Sequence, residues 1–258
     1  MSDLVKYEVK DSIAHIVLNK PDKLNSLSSE MVKAILEILR QAEESVDVRV
    51  IILSSEGRSF CAGGDLDTLK TLNDSIEIAN WMKQASSVTE AIMNINKFVV
   101  SAVHGHAAGA GFSLALASDF IVADRSAKFS LSFKNVGLIP DLGLMKLLSE
   151  RVSLPIVKEW IVSGQTISAD EGYKRGIINR ITDKPVVEEA ILFSKSIVEG
   201  PPISNQYVKY LLNRIGSIDY ETALFQENLI QSLLLQSKDH KEGLAAFFEK
   251  RQPTYIGK

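Results

Sequence analysis

The sequence predicts an α/β protein, with a core of strands and helices over residues 1–200 and a helical extension over residues 201–258. Three observations predict it. Apolar runs of strand length alternate with stretches of helical period from Ile13 onward. Two of those runs lead through glycine-bearing turns into helix-forming sequence, first in VRVIILSSEGRSFCAGGDLDTL and again in VVSAVHGHAAGAGFSLALASD. Past Gly143 the pattern is helical, with one further short strand.

Taken in order, Ile13 to Leu18 is an apolar run closed at Asn19-Lys20-Pro21, where proline ends a strand. Ser28 or Ser29 caps a helix whose apolar stripe is Val32, Ile35, Leu36 and Leu39. Val48 to Leu53 is the next strand, and a helix begins at Asp65 after the loop that follows. A long helix covers Ile76 to Ile95, with Ala85, Val88, Ile92 and Ile95 on one face. Val99, Val100 and Val103 mark a buried strand; Gly105, Gly109 and Gly111 interrupt it before SLALA opens a helix. Short strands follow at Phe120 to Ala123 and near Lys128 to Leu131. Pro155 suits the first turn of a helix, Ser168 with Glu171 makes a capping box, and Gly176 ends that helix. Ile177 to Ile181 is the last strand, and helices separated at Gly200-Pro201-Pro202, Gly216 to Asp219 and Ser237 to Asp239 fill the rest.

Composition excludes several classes of function. With 29 basic and 32 acidic side chains, a formal net charge of -3 and no basic cluster, the chain has no nucleic-acid footprint. Cys61 is the only cysteine, which excludes an intrachain disulfide framework and fits a reducing compartment. The start, MSDLVKYEVKD, has no apolar signal core, and no apolar stretch is long enough to span a bilayer. The expectation is a cytoplasmic protein with neither membrane nor nucleic acid as partner.

The glycine-bearing turns carry the chemistry. At the first turn of a helix the N–H groups lack intrahelical partners, and the helix dipole makes that end slightly positive. An oxygen gaining negative charge is stabilised there. Two such turns, if close in space, can each aim one N–H at the same oxygen.

Other arrangements fit less well. A dinucleotide fingerprint needs glycine where Leu114 stands, and no lysine is placed for a phosphate-binding loop. Ser113, followed by Asp119 or Asp141 and then His240, has the chain order of a hydrolase triad, yet it lies too far beyond Val103 for the sharp turn a nucleophile needs. His104 and His106 share a face of an extended segment, without a third metal ligand at a suitable spacing. Cys61 has no histidine near it in sequence and reads as a small apolar filler. Asp141, in Val-Gly-Leu-Ile-Pro-Asp-Leu-Gly, has two readings: a general base whose pKa is raised by Leu138, Ile139 and Leu142, or the cap of a helix starting near Leu144.

Five motifs in order resemble the crotonase, or enoyl-CoA hydratase/isomerase, superfamily over almost the whole chain. They are Asn19-Lys20-Pro21 with Leu24 to Leu27; Ser59 to Leu66; Gly105 to Asp119; Ser163-Gly164 with Ile167 to Ala169; and Glu242-Gly243 with Phe248 to Arg251. The resemblance implies a spiral of ββα units with C-terminal helices, assembled as a homotrimer or homohexamer, and an acyl-CoA substrate with no further cofactor and no metal. It implies that the thioester oxygen meets the N–H groups of Ala62 and Ala110. The CoA would lie along Lys23, Leu24 and Asn25 and along Gly63, Gly64, Asp65 and Leu66, with Gly109, Ile139 and Pro140 also against the substrate. Ser113 and Phe133 stand where typical hydratases of the family carry glutamates. Asp141 instead is similar to the single loop aspartate of the isomerases of aerobic phenylacetate degradation. The resemblance thus implies double-bond isomerisation through an enolate, with Asp141 as proton shuttle. Three other outcomes stay open: water addition to a 2-enoyl-CoA, nucleophilic attack by Asp141 on an aromatic acyl group, and a non-catalytic CoA-binding subunit.

Overall fold

A computed structural model describes residues 3–258 of the chain. Strand β1 (Val5–Lys10) and strand β2 (Ile13–Leu18) form an antiparallel hairpin. Its two turn residues, Asp11 and Ser12, both take left-handed φ values of 51° and 62°, the geometry of a tight two-residue hairpin loop. Sequence reading misses β1: only Val5 of its six residues is buried, so no apolar run announces it.

Helix α1 (Ser29–Glu44) is capped by Ser28, whose hydroxyl accepts the Met31 N–H at 3.3 Å. Its buried stripe is Met31, Val32, Ile35, Ile38, Leu39 and Ala42. β3 (Val50–Ser55) starts two residues later than expected because Val48 N–H closes a turn on the Ser45 carbonyl. After α2 (Leu66–Thr71) comes the long α3 (Ser75–Asn94), capped by Asp74, and then β4 (Phe98–Val103). β5 (His106–Ala108), α4 (Ala110–Ala117), β6 (Phe120–Asp124) and β7 (Lys128–Ser130) follow, then α5 (Leu144–Ser149) and α6 (Leu154–Ser163), with Pro155 in the first turn of α6.

β8 (Thr166–Ser168) leads into α7 (Ala169–Lys174), where Ser168 caps through the Glu171 N–H, but the Glu171 carboxylate pairs with Arg175, so only the serine half of the expected capping box forms. The last strand, β9 (Arg180–Thr182), lies further on than the expected Ile177 to Ile181. Ile177 and Ile178 donate their N–H groups to the Gly172 carbonyl and bury their side chains; pairing with β6 begins only where Asn179 N–H meets the Ile121 carbonyl. The helices α8 (Val186–Val198), α9 (Pro202–Leu212), α10 (Tyr220–Leu234) and α11 (Lys238–Glu249) break at the three places expected.

Six strands form one sheet in the order β1-β2-β3-β4-β6-β9, parallel except for the β1/β2 pair, and β5-β7-β8 form a second, smaller one. Strand alternation gives the large sheet two apolar faces. Ile51, Leu53, Val99 and Val103 face the main core with α1, α3 and α4, whereas Val50, Ile52, Val100 and Val122 face α8.

α9 is fastened to this body by a buried cation. Lys209 Nζ donates to the carbonyls of Ile92 at 2.8 Å and Lys97 at 2.9 Å, and pairs with Asp119 Oδ2 at 2.8 Å. Burial pushes the Asp119 carboxyl up and the Lys209 ammonium down, and each one's charge resists the shift in the other. No described helix is long and apolar enough to cross a membrane.

Candidate active site

The first turn follows β3 and is stitched to the second. Phe60 N–H donates to the His104 carbonyl and Cys61 N–H to that of His106, and the Cys61 carbonyl accepts the Ala108 N–H at 2.9 Å. The segment therefore runs parallel to β5, and the two glycine-bearing turns lie side by side. Two glycines permit that approach. A β-carbon at Gly63 would lie 2.9 Å from the Ala108 carbonyl oxygen and 3.5 Å from the Ala110 nitrogen, while one at Gly111 would collide with the Cys61 carbonyl.

Ala62 does not have the free N–H expected of it. That group donates to the Leu24 carbonyl at 3.0 Å. Leu24 and Asn25 adopt left-handed φ values of 51° and 56°, which turn the Leu24 carbonyl towards the loop. Asn25 is fully buried, and its amide holds this shape by donating to the carbonyls of Glu56 at 2.8 Å and Ser59 at 2.9 Å. Its side chain is thus committed to supporting the turn.

Further along, Leu27 N–H takes the Gly63 carbonyl and the Leu27 carbonyl takes the Asp65 N–H. Strand-like pairing of that kind leaves the Gly64 N–H on the opposite side, the side of β5 and the second turn. Gly64 is half-buried, and among the described residues its N–H has no acceptor; neither has that of Ala110, the first residue of α4. The two unpaired donors on adjacent turns are thus Gly64 and Ala110 rather than Ala62 and Ala110, an arrangement able to stabilise an oxygen that gains negative charge.

The remaining expected residues are distributed around these turns. Lys23 Nζ is exposed and pairs with Asp67 at 2.8 Å. The buried Asp65 carboxylate accepts the Asp67 N–H at 2.9 Å and so starts α2, leaving Leu66 exposed. Gly109, with φ of 52°, faces the Phe133 ring, whose edge would lie 3.7 Å from a β-carbon there. Ile139 is exposed and Pro140 buried.

Asp141 does not cap a helix. α5 begins with Gly143 at its cap position, and it is the Asp141 main-chain carbonyl that accepts the Leu144 N–H at 3.0 Å. The carboxyl is left over: among the described residues, the buried Oδ1 has no hydrogen-bond partner. Burial raises its pKa to about 6, against a smaller opposing pull from its own backbone amide, and among the described residues no charged side chain contributes. Leu142 and Gly143 after it are left-handed, at φ 50° and 83°. The Ser113 hydroxyl reaches the Asp141 carbonyl at 3.1 Å and the Gly109 carbonyl at 3.4 Å, so the loop that carries the carboxyl abuts the second turn.

The competing arrangements dissolve. Ser113 is fully buried in the first turns of α4 with its hydroxyl on backbone carbonyls, and His240 belongs to α11. Asp119 is committed to Lys209 and the Val99 N–H. His104 bonds the Gly57 carbonyl, and among the described residues no group of three or more His, Cys, Asp or Glu is placed to hold a metal. Cys61 is buried, its thiol pushed up to about 12.

A sequence model described as enoyl-CoA hydratase/isomerase matches residues 8–258. The 1,2-epoxyphenylacetyl-CoA isomerase of Escherichia coli (strain K12) is 31% identical over 267 residues, covering 100% of both chains. The short-chain-enoyl-CoA hydratase of Clostridium acetobutylicum is 29% identical over 247 residues, 95% of this chain and 94% of that one. Among solved structures, the enoyl-CoA hydratase of Bacillus anthracis superposes with a TM-score of 0.94 at 29% identity, covering 99% of this chain and 100% of that chain.

Proposed function

The chain belongs to the enoyl-CoA hydratase/isomerase family, enzymes that act on CoA thioesters, and from that premise we propose that it moves a double bond along an acyl-CoA with Asp141 carrying the proton. The observation that carries this reading is the half-buried Asp141 carboxyl, its Oδ1 buried and unpartnered among the described residues, on a loop that abuts the turn of Ala110, one of the two unpaired N–H groups.

The thioester oxygen of a 3-enoyl-CoA accepts from Gly64 and Ala110, and ionised Asp141 removes a proton from C2. The electron pair passes into the thioester as a dienolate, whose oxygen charge the two donors stabilise by about 3 kcal/mol each. Asp141, now protonated, returns the proton to C4, and the double bond is left at C2–C3. One carboxyl does both steps, and a pKa raised to about 6 makes it a stronger base than an ordinary aspartate while it stays ionised near neutrality. Adding water asks for a second acid–base group, and the two places where hydratases carry glutamates hold the Ser113 hydroxyl, tied to carbonyls, and the buried Phe133 ring.

The CoA would follow Lys23 to Asn25 and Gly63 to Leu66, with Lys23 and the Leu66 side chain as the exposed contacts. Residues 201–258 serve, in the same proposal, to close the site and to associate copies into a trimer or hexamer. Support comes from Phe225, Leu229 and Leu233, which recur at intervals of four on α10 and are exposed.

The test is product analysis with a 3-enoyl-CoA and a 2-enoyl-CoA in parallel, using the native protein and Asp141→Asn. Conversion of the 3-enoyl thioester to the conjugated one, slowed ~10²–10⁴-fold in the variant, is the expected result. A 3-hydroxyacyl-CoA formed at a comparable rate would make the protein a hydratase, and CoA binding without turnover would make it a binding subunit.

A further inference from the structure

A buried serine hydroxyl on a helix ordinarily bonds the carbonyl four residues back and needs nothing more. Ser113 departs from that pattern. Its hydroxyl is closer to the Asp141 carbonyl, at 3.1 Å and 28 residues on, than to the Gly109 carbonyl at 3.4 Å. The Gly109 carbonyl is already supplied by the N–H groups of Phe112 at 2.9 Å and Ser113 at 3.2 Å. Among the described residues the Asp141 carbonyl has one other donor, the Leu144 N–H.

The base loop needs an outside hold. It passes through Leu142 at φ 50°, a conformation that costs a side-chain-bearing residue ~1 kcal/mol, and the preceding Ile139 is exposed. We propose that Ser113 is a positioning residue, whose hydroxyl spans the carbonyls of Asp141 and Gly109 and so fixes the base loop in register with the oxyanion turn. This rests on Asp141 being the base. The same hydroxyl touches both halves of the machinery: Gly109 precedes the Ala110 donor, and Asp141 carries the carboxyl. Losing it would let the carboxyl drift from its aim and take up water.

The test pairs Ser113→Ala with Ser113→Thr, which restores a hydroxyl, on a 3-enoyl-CoA, with thermal melts to verify the fold. For Ser113→Ala, kcat falls ~10–100-fold and KM stays within about twofold, while the acid limb of the kcat/KM profile moves to lower pH as the carboxyl hydrates; Ser113→Thr recovers both. The carbon-13 titration of the Asp141 carboxyl in labelled protein shows the same downward displacement without any turnover. Native kcat with an unmoved titration in Ser113→Ala overturns the proposal, as does a raised KM with kcat preserved. If Ser113→Ala does not fold, Ser113→Cys, close in volume and a weaker donor, is judged by the same criteria. In the Asp141→Asn background Ser113→Ala costs nothing further; an additional loss there also refutes a role through Asp141. Full turnover by Asp141→Asn alone would sink the base assignment, whereas the carboxyl titration in Ser113→Ala reports on the tether independently of it.

Discussion

Asp119 and Asp141 are both aspartates withdrawn from water, and the chain treats them in opposite ways. Asp119 Oδ2 accepts from the Val99 N–H at 2.7 Å and from Lys209 at 2.8 Å, which offset part of the cost of its burial. Asp141 Oδ1 accepts nothing. A buried carboxyl with partners is part of the scaffold, whereas one without partners costs stability. On the proposed reading, the two positions separate structure from function within one fold.

That separation can be broken or sharpened by exchanging each residue. Asp141→Asn has the largest expected effect, a loss of ~10²–10⁴-fold in kcat, measured with the accepted thioester. The native kcat/KM should fall as pH drops through about 6, where the base becomes protonated. Asp119→Ala strands the Lys209 ammonium in the interior and should lower unfolding free energy by ~3–5 kcal/mol in a denaturant titration. Asp141→Asn should do the reverse and stabilise the protein at neutral pH by ~1–2 kcal/mol. The sign follows from the raised pKa. The folded chain holds the Asp141 proton more tightly than the unfolded one, so that contribution is complete below about pH 4 and is lost as pH rises through about 6. The gain of the variant over the native protein should therefore vanish in acid. Smallest is Asp65→Ala, which removes the acceptor for the Asp67 N–H and should cost about 1 kcal/mol. A loss from Asp65→Ala as large as that from Asp119→Ala would show that a backbone N–H alone can matter as much as an ion pair.

Sequence made Asp141 visible because an acidic residue among Leu138, Ile139 and Leu142 is unusual in its local surroundings. It could not choose between base and cap, since that depends on where α5 begins. The two turns were also legible, from apolar runs ending in glycines, but the donor in the first of them was not. Ala62 and Gly64 look alike along the chain; what distinguishes them is the Leu24 carbonyl, turned inward by two left-handed residues that Asn25 holds from a distance. The three-residue strands β5 and β8 were missed for a related reason, being too short to carry a period and defined by distant partners, β7 for both and the Cys61 segment for β5. Ser113 was legible as a helix residue, while its hydrogen bond to a loop 28 residues away was not.

Lys209 has a consequence for how the molecule comes apart. Its ammonium holds the carbonyl of Ile92, near the end of α3, and that of Lys97, just before β4, together with the side chain of the residue preceding β6. Peeling α9 away would leave three acceptors without their cation, one at the end of α3 and two at the starts of β4 and β6, while carrying a bare cation into the open. The terminal helices and the central strands should thus melt in one cooperative step, with the slowest-exchanging amides of α9 opening at the same free energy as those of β4.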